Sequence, residues 1–271
     1  MDLTTLLPVL LALLVIGAFA GVLAGLLGVG GGIVLVPAFF YAFTALGYDS
    51  AQLMQVCVAS SLATIIVTSI RSVLSHHKKG AVDWDILRAW GPLIAIGAAI
   101  GVIAAARLSS EVLQAVFGTI GLIIGLYMAF GRAQWRLGPQ MPARIGRVTT
   151  APLIGFLSVL MGIGGGNIGV PLMTLFGVPI HRAVATAAGF GLVIALPSVL
   201  GFLFLPVVDA PPLTIGAVNL VAFGVIVPMT VLTAPLGARL AHRLDPKPLK
   251  RLFAAFLLLV ACNMLWEVFG G

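Results

Sequence analysis

Gly21-Val-Leu-Ala-Gly-Leu-Leu-Gly28-Val-Gly-Gly-Gly32, followed by Pro37, returns as Gly155-Phe-Leu-Ser-Val-Leu-Met-Gly162-Ile-Gly-Gly-Gly166, followed by Pro171. The two stretches lie 134 positions apart. Three consecutive glycines cost a helix roughly 3 kcal/mol relative to alanine, so a break is expected in each stretch. Other matches follow in order. Gly80-Ala-Val-Asp83 meets Gly216-Ala-Val-Asn219 at an offset of 136, and Arg107-Leu108 meets Arg243-Leu244 at the same offset. Leu113 then falls on Leu249 and Phe117 on Phe253. Ordered matches at a nearly constant offset identify a duplicated half, an organisation typical of transporter folds.

The surroundings of the two stretches are apolar. The 271 residues are 61% hydrophobic and 8% charged, with 33 glycines and 16 prolines. An ordinary soluble domain carries about 25% charge. Fifteen basic and eight acidic side chains cannot cover a water-soluble globule of this size. Disorder is excluded as well, because disordered chains are polar and charged. Apolar segments fall near 6–46, 53–74, 86–106, 112–130, 149–178, 183–206, 214–238 and 248–269. Their unbroken runs fit spanning helices rather than the alternation of a β-barrel. The fold class is therefore an all-α polytopic membrane protein. The formal charge of +7 reads as cytoplasmic loop charge, and no polar domain offers a nucleic-acid face. Cys57 and Cys262 sit in apolar segments and read as buried small residues. Met1-Asp2-Leu3 lacks a positive n-region, and the apolar run continues past Ala18-Phe19-Ala20, so the first segment is expected to be a membrane segment and not a signal peptide.

Charge placement orients the segments. If all eight cross once, Lys and Arg divide almost evenly between the two sides. If the first and fifth are hairpins that return to their own side, every Lys and Arg except Arg107 falls on one side. The positive-inside rule selects the second arrangement. Each half then has three crossings and one glycine-broken hairpin, and an odd number of crossings makes the two halves inverted repeats. The expected divisions are a first repeat over 1–130, a cytoplasmic linker over 131–148 and a second repeat over 149–271. Both termini face outward, and the loops at 75–85, 131–148 and 239–250 face the cytoplasm. Whether each hairpin is re-entrant or a pair of full crossings stays open, although the short piece after Gly32 favours a partial crossing.

The glycine clusters have two readings. A dinucleotide fingerprint fails, because the sixth position holds Ile33 or Asn167 rather than glycine. Close helix packing or a hinge is the bland reading. The functional reading is a substrate site at the tips of two broken helices, where free backbone N–H groups and a positive dipole end suit an anion. The candidate binding residues are Gly30, Gly31, Gly32, Gly164, Gly165 and Gly166. Asn167 joins them as the polar departure from the repeat, opposite Ile33; a helix cap is its alternative role. Ser60, Ser61 and Thr186 supply hydroxyls in the segments after each hairpin, with helix packing as their alternative. Gln55 and Thr68 are weaker candidates. Gly17, Gly21 and Gly25 read as a packing face. Arg71, Arg88 and Arg182 read as interfacial anchors or as a funnel for anions. No carboxylate lies deep in an apolar segment, and no acid pair, Ser/His pair or metal cluster is visible. An enzyme is therefore not expected, nor is a cofactor or a metal.

The paired glycine motifs at 25–32 and 162–171, with Gly80-Ala-Val-Asp-Trp84 after a basic loop, resemble the TauE/SafE family of membrane transporters over essentially the whole chain. The resemblance implies export of sulfite and organosulfonates such as sulfoacetate; spacing alone supports only a small anion. The expectation is an exporter of a small oxyanion in the bacterial inner membrane, working by alternating access, with the lipid bilayer as its surroundings and a homodimer allowed. The membrane potential favours anion exit by about 2.3 kcal/mol per charge per 100 mV. An importer, a carrier of another solute and a non-transporting scaffold are the alternatives.

Overall fold

The computed structural model describes residues 3–27, 31–131, 135–143, 145–241 and 246–270. Ten helices and one two-stranded ribbon account for most of them. They are α1 (Leu3–Leu27), α2 (Gly32–Ala45), α3 (Leu53–Lys78), α4 (Trp84–Ala105), α5 (Ser110–Phe130), α6 (Ile145–Leu160), α7 (Gly166–Leu175) and α8 (Ile180–Leu203). Then follow β1 (Thr214–Ile215), β2 (Val218–Asn219), α9 (Leu220–Ala241) and α10 (Pro246–Phe269).

Among the described residues five helices are long and apolar enough to cross a membrane: α3, α4, α5, α8 and α9. The chain is thus built as a multi-pass membrane protein. Among the described residues α10 offers a shorter apolar stretch, Ala254–Phe269. The two glycine-rich segments do break. α2 has 14 residues and α7 has 10. At 1.5 Å per residue these are about 21 Å and 15 Å long, short of the ~30 Å of hydrocarbon.

The α6 break has a defined geometry. Gly162 takes φ +63°. Its N–H donates to the Val159 carbonyl at 2.9 Å, and the Ile163 N–H donates to the Ser158 carbonyl at 2.9 Å. This is a Schellman motif, and the left-handed residue it needs is the reason for glycine at 162. Gly28, its counterpart in the first half, lies outside the described residues.

Helix pairing is symmetric under exchange of the first five helices with the last five. α1 packs on α9 and α6 on α4; α5 packs on α10, and α3 on α8. Placing α1–α5 on α6–α10 maps this set of pairs onto itself. Small residues set the closest crossings. At Gly17 and Gly21 a Cβ would run into Ile226, Met229, Thr230 and Thr233 of α9. At Gly155, the repeat partner of Gly21, it would run into the backbone of Ile94 and Ala98 in α4. The packing face expected at Gly17 and Gly21 is therefore present. α3 and α8 are the most deeply buried of the five long helices.

The connections gather at two ends. At one end the Ser50 hydroxyl donates to the Val208 carbonyl, and the Ser110 N–H donates to the Ala51 carbonyl. At the other, Arg182 pairs with Asp83 at 3.0 Å, and the Leu137 N–H donates to the Leu175 carbonyl. Arg107 belongs to the first end. Lys78, Lys79 and Arg136 belong to the second.

Candidate substrate site at two helix breaks

The two glycine breaks meet. A Cβ on Gly32 would lie 2.7 Å from the Gly162 carbonyl oxygen and 3.0 Å from the Ile163 Cα. A Cβ on Gly162 would lie 2.7 Å from Val36 Cγ2 in α2 and 2.9 Å from the Val58 Cα in α3. The turn after α6 is therefore seated against the start of α2 and the first third of α3. Glycine is required on both sides of this contact, by φ at 162 and by space at 32.

Ser61 ties the contact down: its hydroxyl donates to the Gly162 carbonyl at 2.8 Å. Of the candidate residues, Gly32 and Ser61 thus converge on the Gly162 turn that leads into Gly164, Gly165 and Gly166. Those three are buried. Gly165 caps α7 and abuts Phe190 of α8. Gly31, at φ +75°, caps α2, and a Cβ there would lie 3.3 Å from the Ala20 carbonyl oxygen. The chain has folded back on α1 at that point. Gly30 lies outside the described residues.

Ser60 and Thr186 are engaged elsewhere, in a matched pair of bonds between the halves. The Asp83 N–H donates to Thr186 Oγ1 at 2.9 Å, and the Asn219 N–H donates to Ser60 Oγ at 2.9 Å. Asp83 and Asn219 are repeat partners that start α4 and α9. Asp83 Oδ1 accepts from the Ile86 N–H at 3.1 Å, and Asn219 Oδ1 accepts from the Ala222 N–H at 2.8 Å. Each is a helix cap. Gly80 and Gly216 open the two motifs at φ +64° and +57°. The Gly-Ala-Val-Asp/Asn repeat therefore encodes a turn, a cap and a tie to the opposite half.

The weaker candidates are held as well, although the buried Gln55 Oε1 has no partner. Gln55 Nε2 donates to the Ala105 and Leu108 carbonyls. Thr68 donates to Thr64 and Ile65 within its own helix. Arg182 is taken by Asp83.

Asn167 is different. It is the second residue of α7 and 3% exposed. Neither Nδ2 nor Oδ1 has a hydrogen-bond partner. Ser158, on the last turn of α6, is fully buried, and its hydroxyl has no partner either. Leaving such a group unpaired costs about 1–3 kcal/mol. Sequence reasoning passed over Ser158. The signal was the one that marked Asn167: a polar residue where the first half has an apolar one, Ala24. Among the described residues no group of His, Cys, Asp and Glu could hold a metal.

The family described as Sulfite exporter TauE/SafE matches residues 13–264. Curated relatives share nearly the full length. A probable membrane transporter protein of Haemophilus influenzae is 31% identical over 259 residues, covering 94% of this chain and 97% of the relative. One of Methanocaldococcus jannaschii is 26% identical, covering 93% and 94%. The probable membrane transporter protein YunE of Bacillus subtilis is 28% identical, covering 94% and 97%. No solved structure matches.

Proposed function

Because this chain belongs to the TauE/SafE family, and is a membrane transporter rather than an enzyme, we propose that it exports a small oxyanion, sulfite or an organosulfonate, across the bacterial inner membrane. The observation that carries this reading is the meeting of Gly32 with the Gly162 carbonyl under the Ser61 hydroxyl. Helix breaks survive at membrane depth only where protein or water satisfies the backbone. Here the two breaks abut, and Ser61 of α3 donates to the exposed Gly162 carbonyl, beside the start of a helix that carries an unpaired amide.

In this reading 1–130 and 149–271 are inverted repeats joined by a cytoplasmic linker at 131–148. Support comes from the exchange-symmetric pairing of helices and from the reciprocal ties Thr186–Asp83 and Ser60–Asn219. The short α2 and α7 are the re-entrant arms. The end of the bundle with Lys78, Lys79 and Arg136 faces the cytoplasm, as the positive-inside rule requires, and both termini face outward.

The binding residues are Gly30, Gly31 and Gly32 in the first hairpin, and Gly164, Gly165, Gly166 and Asn167 in the second. Ser61 forms the adjoining polar wall, while Ser60 and Thr186 hold Asn219 and Asp83 instead. With the tips in contact the structure is the occluded form. Alternating access parts them toward one face at a time, and the inside-negative potential drives the anion outward.

The test is sulfite flux in proteoliposomes under an imposed potential. Uptake that rises with a potential favouring anion movement supports the reading. A reconstituted, folded protein that moves neither sulfite nor a sulfonate contradicts it.

A further inference from the structure

Apart from Arg147 Nε at the start of α6, three buried polar atoms without partners sit on the second hairpin, all close in sequence to its break: Asn167 Nδ2, Asn167 Oδ1 and Ser158 Oγ. They flank the Gly162 turn, Ser158 on the helix before it and Asn167 on the helix after it. Among its described residues the first hairpin has none of this. Its matching positions are Ala24 and Ile33, and Ile33 is buried in the apolar core. The site is lopsided, with recognition chemistry on one arm of a duplicated fold.

The chemistry of the three atoms constrains the guest. Nδ2 is a donor and Oδ1 an acceptor, and because both are unpaired, exchanging the two ends of the amide changes nothing. The hydroxyl can do either. A fully deprotonated oxyanion presents acceptors only, so it would satisfy Nδ2 and leave Oδ1 facing another oxygen. The turn 158–167 contains no Lys, Arg or His. The groups seated on it, Val36, Val58, Ser61 and Phe190, are uncharged. A dianion would therefore enter without a countercharge, and its solvation cost grows with the square of its charge.

Resting on the oxyanion reading above, we propose that Ser158 and Asn167 select a singly charged sulfur oxyanion that also carries a hydrogen-bond donor. Hydrogensulfite meets this with its own proton. A hydroxyalkyl- or aminoalkylsulfonate meets it with its side group. In the first case a proton leaves with each anion on the substrate itself, and no carboxylate in the membrane is needed to carry it.

The experiment is calorimetric binding to the purified wild-type protein, with two probes. The first is sulfite titrated across its second ionisation. The affinity for total sulfite should follow the protonated fraction and fall about tenfold per pH unit above that ionisation. The second is the matched pair ethanesulfonate and 2-hydroxyethanesulfonate, of which the hydroxylated member should bind at least about tenfold more tightly. Asn167→Asp, which replaces the donor with a second acceptor and a charge, should bind none of them. The selection is overturned if sulfite affinity is flat with pH while ethanesulfonate equals its hydroxylated partner, an outcome that leaves the oxyanion reading standing. Failure of every probe to bind a folded protein overturns both. A response from only the sulfite arm or only the sulfonate arm identifies which donor the site uses, and supports the selection for that guest.

Discussion

Gly32 and Gly162, one from each glycine motif, stand backbone to backbone: a methyl group on the first would lie 2.7 Å from the carbonyl oxygen of the second. Ser61 donates to that same oxygen. The contact joins the start of α2 to the turn that ends α6 and leaves no space for a side chain at either glycine. Gly162→Ala should destabilise the protein by more than the ~1–2 kcal/mol of left-handed strain, because Val36 and Val58 stand in the way as well. Gly32→Ala lacks the strain and meets only the clash. Both are read from unfolding in detergent, with Gly162→Ala expected to be the more damaging.

The inter-half ties should be equivalent in energy. Thr186→Val leaves the Asp83 N–H without its acceptor, and Ser60→Ala does the same to Asn219. Each should cost about 1–3 kcal/mol. Comparable shifts in detergent unfolding are the expected result. A loss from only one of the two would mean that the halves are not tied symmetrically.

Asp83 combines a cap with an ion pair, and two substitutions separate them. Asp83→Asn keeps the acceptor for the Ile86 N–H and loses the charge toward Arg182, whose side chain is 52% exposed. That change should cost less than about 1 kcal/mol. Asp83→Ala loses the cap too and should cost about 1 kcal/mol more. Thermal unfolding of the two variants side by side checks the order.

Much of this was legible in the sequence. The offset glycines marked both breaks because a run of glycine weakens a helix whatever surrounds it. The Gly-Ala-Val-Asp/Asn motif was visible as a repeat, but its purpose was not. The hydroxyls that meet it, Ser60 and Thr186, lie more than a hundred residues from Asn219 and Asp83, and only the packing of α3 on α8 brings them there. For the same reason the two hydroxyls read as equal to Ser61, although only Ser61 reaches the Gly162 turn. Ser158 was hidden inside the glycine motif as an ordinary small residue. That its hydroxyl has no partner is a property of the neighbours.

Sidedness has its own test. Val208 is 72% exposed at the end of the bundle that holds Arg107, and His77 is exposed at the basic end. In a Cys262→Ser background, Val208→Cys should react with an impermeant maleimide on intact bacteria. His77→Cys should react only after the membrane is opened. The reverse pattern would invert the orientation and place the basic loops outside.

Asn167→Ile, which gives the second hairpin the residue of the first, tests the site most directly when oxyanion binding and melting temperature are measured on the same preparation. Replacing an amide with two buried unpaired atoms by an aliphatic side chain removes a penalty of about 1–3 kcal/mol. The expected result is a Tm that holds or rises, together with loss of binding to sulfite and sulfonates. Undiminished binding in a folded Asn167→Ile protein would contradict the placement of the site at the meeting of the two breaks.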